Sequence, residues 1–199
     1  MTQTQKKVWD NIAPEWHEHK QIPSKLSVEF LLKQKGKVLD FGSGSGRHLT
    51  KIKNGKMYLL DFSKEMIELA KKKAKDKKID AEFEISNMNK IPYKDDFFDA
   101  AISISSLHCL NPEDHKSAVK ELYRVLKSDA KALIGVWNRK SKRFKSAKSE
   151  EKYIGWTDKG KRYYYLFTEE EIHDLFKKTG FKIISSYNSE MMINFIVEK

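Results

Sequence analysis

Gly42, Gly44 and Gly46 follow at alternating positions on the apolar run Val38-Leu39-Asp40-Phe41. Glycines at the end of a strand let the chain turn tightly and bring backbone N–H groups against a ligand at a helix N-terminus. The junction therefore predicts a small bound cofactor, and its spacing narrows the kind. A dinucleotide loop wants G-x-G-x-x-G, but three residues after Gly44 stands Arg47, too bulky for close packing of helix on strand. A P-loop fails as well, because no Gly-Lys-Ser or Gly-Lys-Thr follows at the required distance. A second apolar run, Lys56-Met57-Tyr58-Leu59-Leu60, ends in Asp61. It lies roughly twenty residues after the first, where a carboxylate accepts hydrogen bonds from both hydroxyls of a ribose. Asp61 thus predicts a nucleoside. Later in the chain, His108 can bind substrate, take a proton from an amine or hydroxyl nucleophile, or simply pack. Arg162-Tyr163-Tyr164-Tyr165 sets a guanidinium beside three phenols, a combination that pairs with a carboxylate and surrounds a base. A structural Arg162, with alternate tyrosines capping the core, is equally open.

These groups need a frame. From Lys37 to Trp137 apolar runs alternate with helical patterns, the βαβ rhythm of an α/β, mostly parallel doubly wound sheet with helices on both faces. Strands are expected at about 37–41, 56–60, 81–86, 98–104 and 130–137. Helices are expected from Gly46 to Lys53, from Ser63 to Asp76 with Ser63 as N-cap, and from Pro112 to Lys127 with Asn111 as cap. Thr168-Glu169-Glu170-Glu171 reads as a capping box opening a helix that stops at Thr179-Gly180. Two more strands, about 181–187 and 191–198, are separated by a short turn and should pair as an antiparallel hairpin. Outside this rhythm lie a helical N-terminal segment, 1–34, with Trp9, Ile12, Ala13 and Trp16 at helical spacing, and a connection at 138–167. The latter is longer than ordinary connections and is expected to be functional or mobile. It mixes Arg139, Lys140, Arg143 and Arg162 with Trp156 and the tyrosines, and such mixtures hold phosphate and stack an unpaired base.

Composition sets bounds. The 199 residues suit a single domain, 1–199, with a substantial core and no room for a second enzyme domain. Cys109 is the single cysteine, so neither an internal disulfide nor a structural zinc site can form. Met1 to Lys7 lacks the apolar core of a secretory signal, no apolar run approaches the roughly 20 residues of a membrane span, and mean hydropathy is −0.68. A cytoplasmic protein without a membrane partner is the expectation. A net charge of +11 implies a surface that attracts polyanions. The lysines at 71, 72, 73, 75, 77 and 78 read either as part of that surface or as a plain solvated face.

The ordered set of motifs resembles the class I S-adenosylmethionine-dependent methyltransferases. The first motif is Val38 to Gly46 and the second Tyr58 to Asp61, followed by Phe83 to Met88, Ile91-Pro92-Tyr93, Phe97 to Ser103 and Glu121 to Lys127. The resemblance implies a Rossmann-like, seven-stranded mostly parallel sheet with an antiparallel C-terminal strand, and S-adenosyl-L-methionine as cofactor. It places Asp40, Phe41, Gly42, Gly44, Gly46, Asp61, Phe62, Asn87, Met88, Ser103 and Ser105 around that cofactor, with Trp16 and His17 closing over its methionine part. Asn87 stands where the family has Asp; its amide oxygen still accepts, so weaker adenine binding is implied.

Within that class, Val8-Trp9-Asp10-Asn11-Ile12-Ala13-Pro14, Ala101 to His108 and Arg162 to Phe167 look like the tRNA wobble-uridine carboxymethyl methyltransferases, which esterify 5-carboxymethyluridine in the anticodon loop. This chain departs from them at Lys20-Gln21-Ile22-Pro23-Ser24 and at His108-Cys109. The resemblance implies His108, Arg162 and Tyr163 as catalytic residues, and Lys20, Arg139, Lys140, Arg143 and Tyr164 as substrate contacts. It also implies the tRNA anticodon loop as partner, no DNA, and a small zinc-ribbon activator docking on the strand edge near Ala81 to Ile85. Two rivals are a small-molecule methyltransferase of the same fold and a non-catalytic RNA-binding adaptor built on its scaffold.

Overall fold

The computed structural model describes residues 3–199; Met1 and Thr2, part of the expected N-terminal segment, lie outside it. Helix α1 (Gln3–His19) and helix α2 (Lys25–Leu32) precede the sheet. The chain then alternates through β1 (Lys35–Phe41), β2 (Lys53–Asp61), α3 (Lys64–Asp76), β3 (Ala81–Ile85), β4 (Phe98–Ile104), α4 (Pro112–Val125) and β5 (Leu126–Trp137). A small hairpin, β6 (Glu151–Gly155) and β7 (Lys161–Tyr165), comes before α5 (Glu169–Thr179), β8 (Lys182–Ser186) and β9 (Met192–Glu198). The seven-stranded sheet has the order β3-β2-β1-β4-β5-β9-β8; only β9 runs antiparallel to its neighbours.

Alternation along the strands supplies both helical layers with a core. Leu39, Ala101 and Ile134 pack on α4 and α5 through Ala118, Leu122, Ile172 and Phe176. Their neighbours Val38, Ala100 and Leu133 face α2 and α3 through Phe30, Leu31, Ala70 and Ala74. Each fully buried aliphatic or aromatic side chain contributes about 1.5–3 kcal/mol. A third cluster joins Trp9, Ile12 and Ala13 of α1 to Met66 of α3, Cys109 and Tyr164 of β7, and it fastens both irregular regions to the ends of the strands.

The helix ends follow sequence chemistry. Ser63 caps α3 through its side chain, and Thr168 and Glu171 form the expected capping box. Asn111 occupies the N-cap of α4, with Pro112 behind it, but its side chain makes no capping bond. One expected helix does not form. Residues 46–52 form turns and irregular chain rather than a helix, since the loop that opens at Gly42 is pinned to β2 and uses the chain that a helix would need. β2 then starts at Lys53, three residues early. The 138–167 connection contains the β6–β7 hairpin, whose strands Glu151-Lys152-Tyr153-Ile154-Gly155 and Lys161-Arg162-Tyr163-Tyr164-Tyr165 each open on two charged residues and so lack an alternating apolar signature.

Candidate active site

A cleft opens at the C-terminal ends of β1, β2 and β4. Its floor is the glycine loop. Gly42 and Ser43 both donate to the Leu60 carbonyl at 2.9 Å, so their backbone fixes the loop to β2. Gly42 has φ +84, and a β-carbon there would stand 2.3 Å from Cβ of Ser106; only glycine fits. Gly44, at φ +53, faces open space.

Asp61 closes one side. Its Oδ2 accepts from Gly44 N at 2.8 Å and its Oδ1 from Ser63 N at 3.0 Å, which leaves a lone pair on each oxygen for a ligand. Burial outweighs these bonds and pushes its pKa up to about 6. Asp40 is buried behind the floor and does not line the cleft. Its Oδ2 has no hydrogen-bond partner among the described residues, and burial raises its pKa to about 7 against the opposing pull of Arg47. Arg47 itself lines the cleft, half-buried, with no hydrogen bond or ion pair among the described residues. Next to it His48 is held neutral, its pKa pushed down to about 3 chiefly by burial. A carboxylate at one end and an unpaired guanidinium at the other match a nucleoside that carries a zwitterionic amino-acid tail. The open face of Gly44 fits S-adenosylmethionine in the same way.

α1 and the segment after it form the roof, with Trp9, Trp16 and Lys20 lining the cleft. Phe62, Met88 and Ser105 line it as expected. Four other expected cofactor residues do not. Phe41 is in the core, its carbonyl taken by the hydroxyls of Ser103 at 3.1 Å and Ser106 at 2.8 Å, so Phe41 and Ser103 brace the floor from behind. Gly46 sits at the end of the loop, packed on Ala70 and Leu59, and Asn87 is exposed. His17 is also outside the lining.

His108 lies behind the far wall. Its Nδ1 accepts from Trp137 N at 2.9 Å, so Nε2 carries the proton, and burial holds its pKa near 3. With its lone pair occupied it is placed as a fixed neutral ring against Trp137 and Tyr164, not as a general base. Arg162 is buried: its guanidinium lies 5.0 Å from the Trp16 ring centre and 4.9 Å from that of Trp156, and Nη1 donates to the Tyr164 hydroxyl at 2.8 Å. Tyr164 stacks on Trp137 at 4.2 Å. Strand alternation turns Tyr163 to the opposite face, onto Tyr153, away from the cleft. Arg143 stands over Trp137 at 5.1 Å, whereas Arg139 and Lys140 line a separate groove with Phe144, Lys145 and Thr168. Burial lowers the pKa of Lys20, and Arg47, Arg143 and Arg162 lower it further. Lys20 and Arg47 thus line the cleft, and Arg143 and Arg162 add positive potential there from outside its lining.

Ser43, Ser45, Arg47, His48, Met66, Ser106 and Cys109 line the cleft without having been read from the sequence. Arg47 had a signal, a cation directly after the glycine loop. Met66 had none beyond an apolar helix position. Among the described residues no group of His, Cys, Asp and Glu is placed to hold a metal ion.

Residues 32–194 match the family model described as a methyltransferase domain. A Xenopus tropicalis protein named tRNA (carboxymethyluridine(34)-5-O)-methyltransferase is 30% identical over 155 residues, covering 73% of this chain. An Arabidopsis thaliana protein of the same name is 32% identical over 134 residues, 66% of this chain. The chain spans only 24% and 32% of the lengths of these two relatives. The crystal structure of a SAM-dependent methyltransferase from Methanosarcina mazei superposes with a TM-score of 0.75 at 21% identity, covering 89% of this chain and 98% of that one. With the motif order, the sheet order and the cleft in agreement, the chain belongs to the methyltransferase domain family and has the fold of a class I S-adenosylmethionine-dependent methyltransferase domain.

Proposed function

We propose that the protein methylates the carboxymethyl group of a wobble uridine in the tRNA anticodon loop to its methyl ester. The observation that carries this reading is the cleft lined by Lys20 and Arg47 beside the ring of Trp16, with Arg143 over Trp137 and Arg162 over Trp156 adding positive potential at Lys20. Cations select an anionic acceptor, and the rings suit a flipped-out base. The relatives from Xenopus tropicalis and Arabidopsis thaliana carry names that agree with it.

S-adenosylmethionine supplies a methyl already activated by its sulfonium. The residues then have to align the acceptor in line and exclude water. Asp61 orients the ribose, and Arg47 is placed to pair with the methionine carboxylate. Lys20, which lines the cleft beneath the roof, is placed to receive the acceptor carboxylate, with Arg143 next to it. Arg162 acts from behind the roof, holding Trp16 and adding positive potential. An ionised carboxylate attacks without losing a proton, which is consistent with a neutral, lone-pair-occupied His108. On this reading β3, the free edge of the sheet with Ile85 exposed, is where a small zinc-ribbon activator would add a strand.

The test is transfer of radiolabelled methyl into tRNA lacking the modification, with and without an activator, followed by nucleoside mass spectrometry. A base-labile methyl ester on a carboxymethylated uridine supports the proposal. Binding of cofactor with no label in tRNA would replace it by a small-molecule acceptor.

A further inference from the structure

Asp10 reaches from α1 onto the first turn of α3. Its Oδ1 accepts from the Ser63 hydroxyl at 2.6 Å and lies 3.5 Å from the Glu65 backbone nitrogen, while its Oδ2 pairs with Lys6 at 2.7 Å. A carboxylate at a helix N-terminus is favoured by the backbone dipoles, and a hydroxyl given to an ionised carboxylate makes a strong, directional bond. Ser63 is the pivot. Its Oγ also accepts from Met66 N at 3.2 Å, and its own backbone N–H donates to Oδ1 of Asp61 at 3.0 Å. The other oxygen of Asp61 holds Gly44 N at 2.8 Å. One continuous chain of bonds therefore runs from α1 through Asp10, Ser63 and Asp61 to the glycine loop, and the same helix carries Trp9 and Trp16 into the cleft.

We propose that Asp10 is a positioning residue that ties the docking of α1 to the orientation of the Asp61 carboxylate, so that closing the roof and gripping the ribose favour each other. A carboxylate that serves two hydroxyls at once needs a fixed rotamer, and Asp61 takes half of its fixation from Ser63. Coupling of this kind is reciprocal: whatever docking does for cofactor affinity, cofactor does for docking. The proposal goes beyond the acceptor assignment and holds for any acceptor.

The test is calorimetric binding of S-adenosylhomocysteine and adenosine to the full chain. Asp10→Ala should weaken both ligands by about tenfold, because the loss lies at the ribose they share. Ser63→Ala should do the same, and the double variant should lose little more than either single one, as members of one chain do. Asp10→Asn, which keeps an acceptor oxygen for Ser63, should stay within about threefold of the parent. Ile172→Val, a fully buried change on α5 that touches neither α1 nor the link, should lower the melting temperature but leave affinity within about twofold. Hydrogen exchange on the unmutated chain adds a measurement that needs no variant to fold: adenosylhomocysteine should slow exchange in 3–19 and 63–66 together. Unchanged affinity in Asp10→Ala, equal losses in Ile172→Val, or protection of 63–66 without 3–19 would each overturn the proposal. No binding of adenosylhomocysteine by the parent would overturn the cofactor assignment and this link with it.

Discussion

The floor and the roof of the cleft are built by different physics. The floor is held through backbone donors: Gly42 and Ser43 donate to the Leu60 carbonyl, and Gly44 and Ser63 donate to the Asp61 carboxylate, the one side chain among these acceptors. The roof is held by side chains: Arg162 lies between Trp16 and Trp156, and Glu15 accepts from Trp156 Nε1 at 2.5 Å and pairs with Lys159 at 2.7 Å. Backbone bonds of this kind survive most substitutions outside the glycines, whereas a roof of stacked rings is open to residue change one contact at a time. The floor is thus suited to a constant ligand and the roof to a variable one.

Substitutions can break or sharpen this contrast. The largest effect is expected for Gly42→Ala, which forces an L side chain to φ +84 and drives its methyl against Ser106. It should cost roughly 3 kcal/mol of stability by denaturant unfolding and abolish cofactor binding. Asp61→Ala leaves the floor folded but removes the ribose acceptor, with an expected loss of about 2 kcal/mol in calorimetric affinity for adenosylhomocysteine. Arg162→Ala belongs to the roof. It should lose about 1–2 kcal/mol of stability from the ring contacts and lower turnover on the proposed tRNA acceptor, with cofactor affinity nearly unchanged. Equal loss of cofactor affinity would erase the distinction between floor and roof.

Arg47→Met should weaken adenosylhomocysteine about tenfold yet leave 5′-methylthioadenosine unaffected, since the latter lacks the amino-acid carboxylate. The smallest effect is that of pH. Burial raises Asp61 to about 6 and Asp40 to about 7, so both gain protons as pH falls through that range. A protonated Asp61 loses acceptor capacity, and affinity should drop about fivefold from about pH 7.5 to about pH 5.5. For the unliganded chain the sign is opposite. These acids bind protons more tightly folded than unfolded, so their contribution to stability declines as pH rises from near 4 toward 7.

The same contrast governs what the sequence makes legible. Gly42, Gly44 and Asp61 announce themselves because each is required by local backbone geometry, and Ser63 and Thr168 because caps are local too. Arg162, Tyr163 and Tyr164 are legible as a group but not one by one, because only the register of β7 decides that Arg162 and Tyr164 face the site and Tyr163 does not. The helix expected at 46–53 fails for a related reason: tertiary pinning of the loop to Leu60 overrides local propensity. His108 was legible by position alone, since its bond to Trp137 joins residues 29 apart.

All four tryptophans of the chain, Trp9, Trp16, Trp137 and Trp156, belong to the roof and far wall, linked by ring contacts through Tyr164 and Arg162. The intrinsic ultraviolet emission of this protein therefore originates almost entirely from its reaction chamber. It is a built-in optical gauge: quenching by acrylamide or a shift in emission wavelength reports the wetting of that chamber with no label attached.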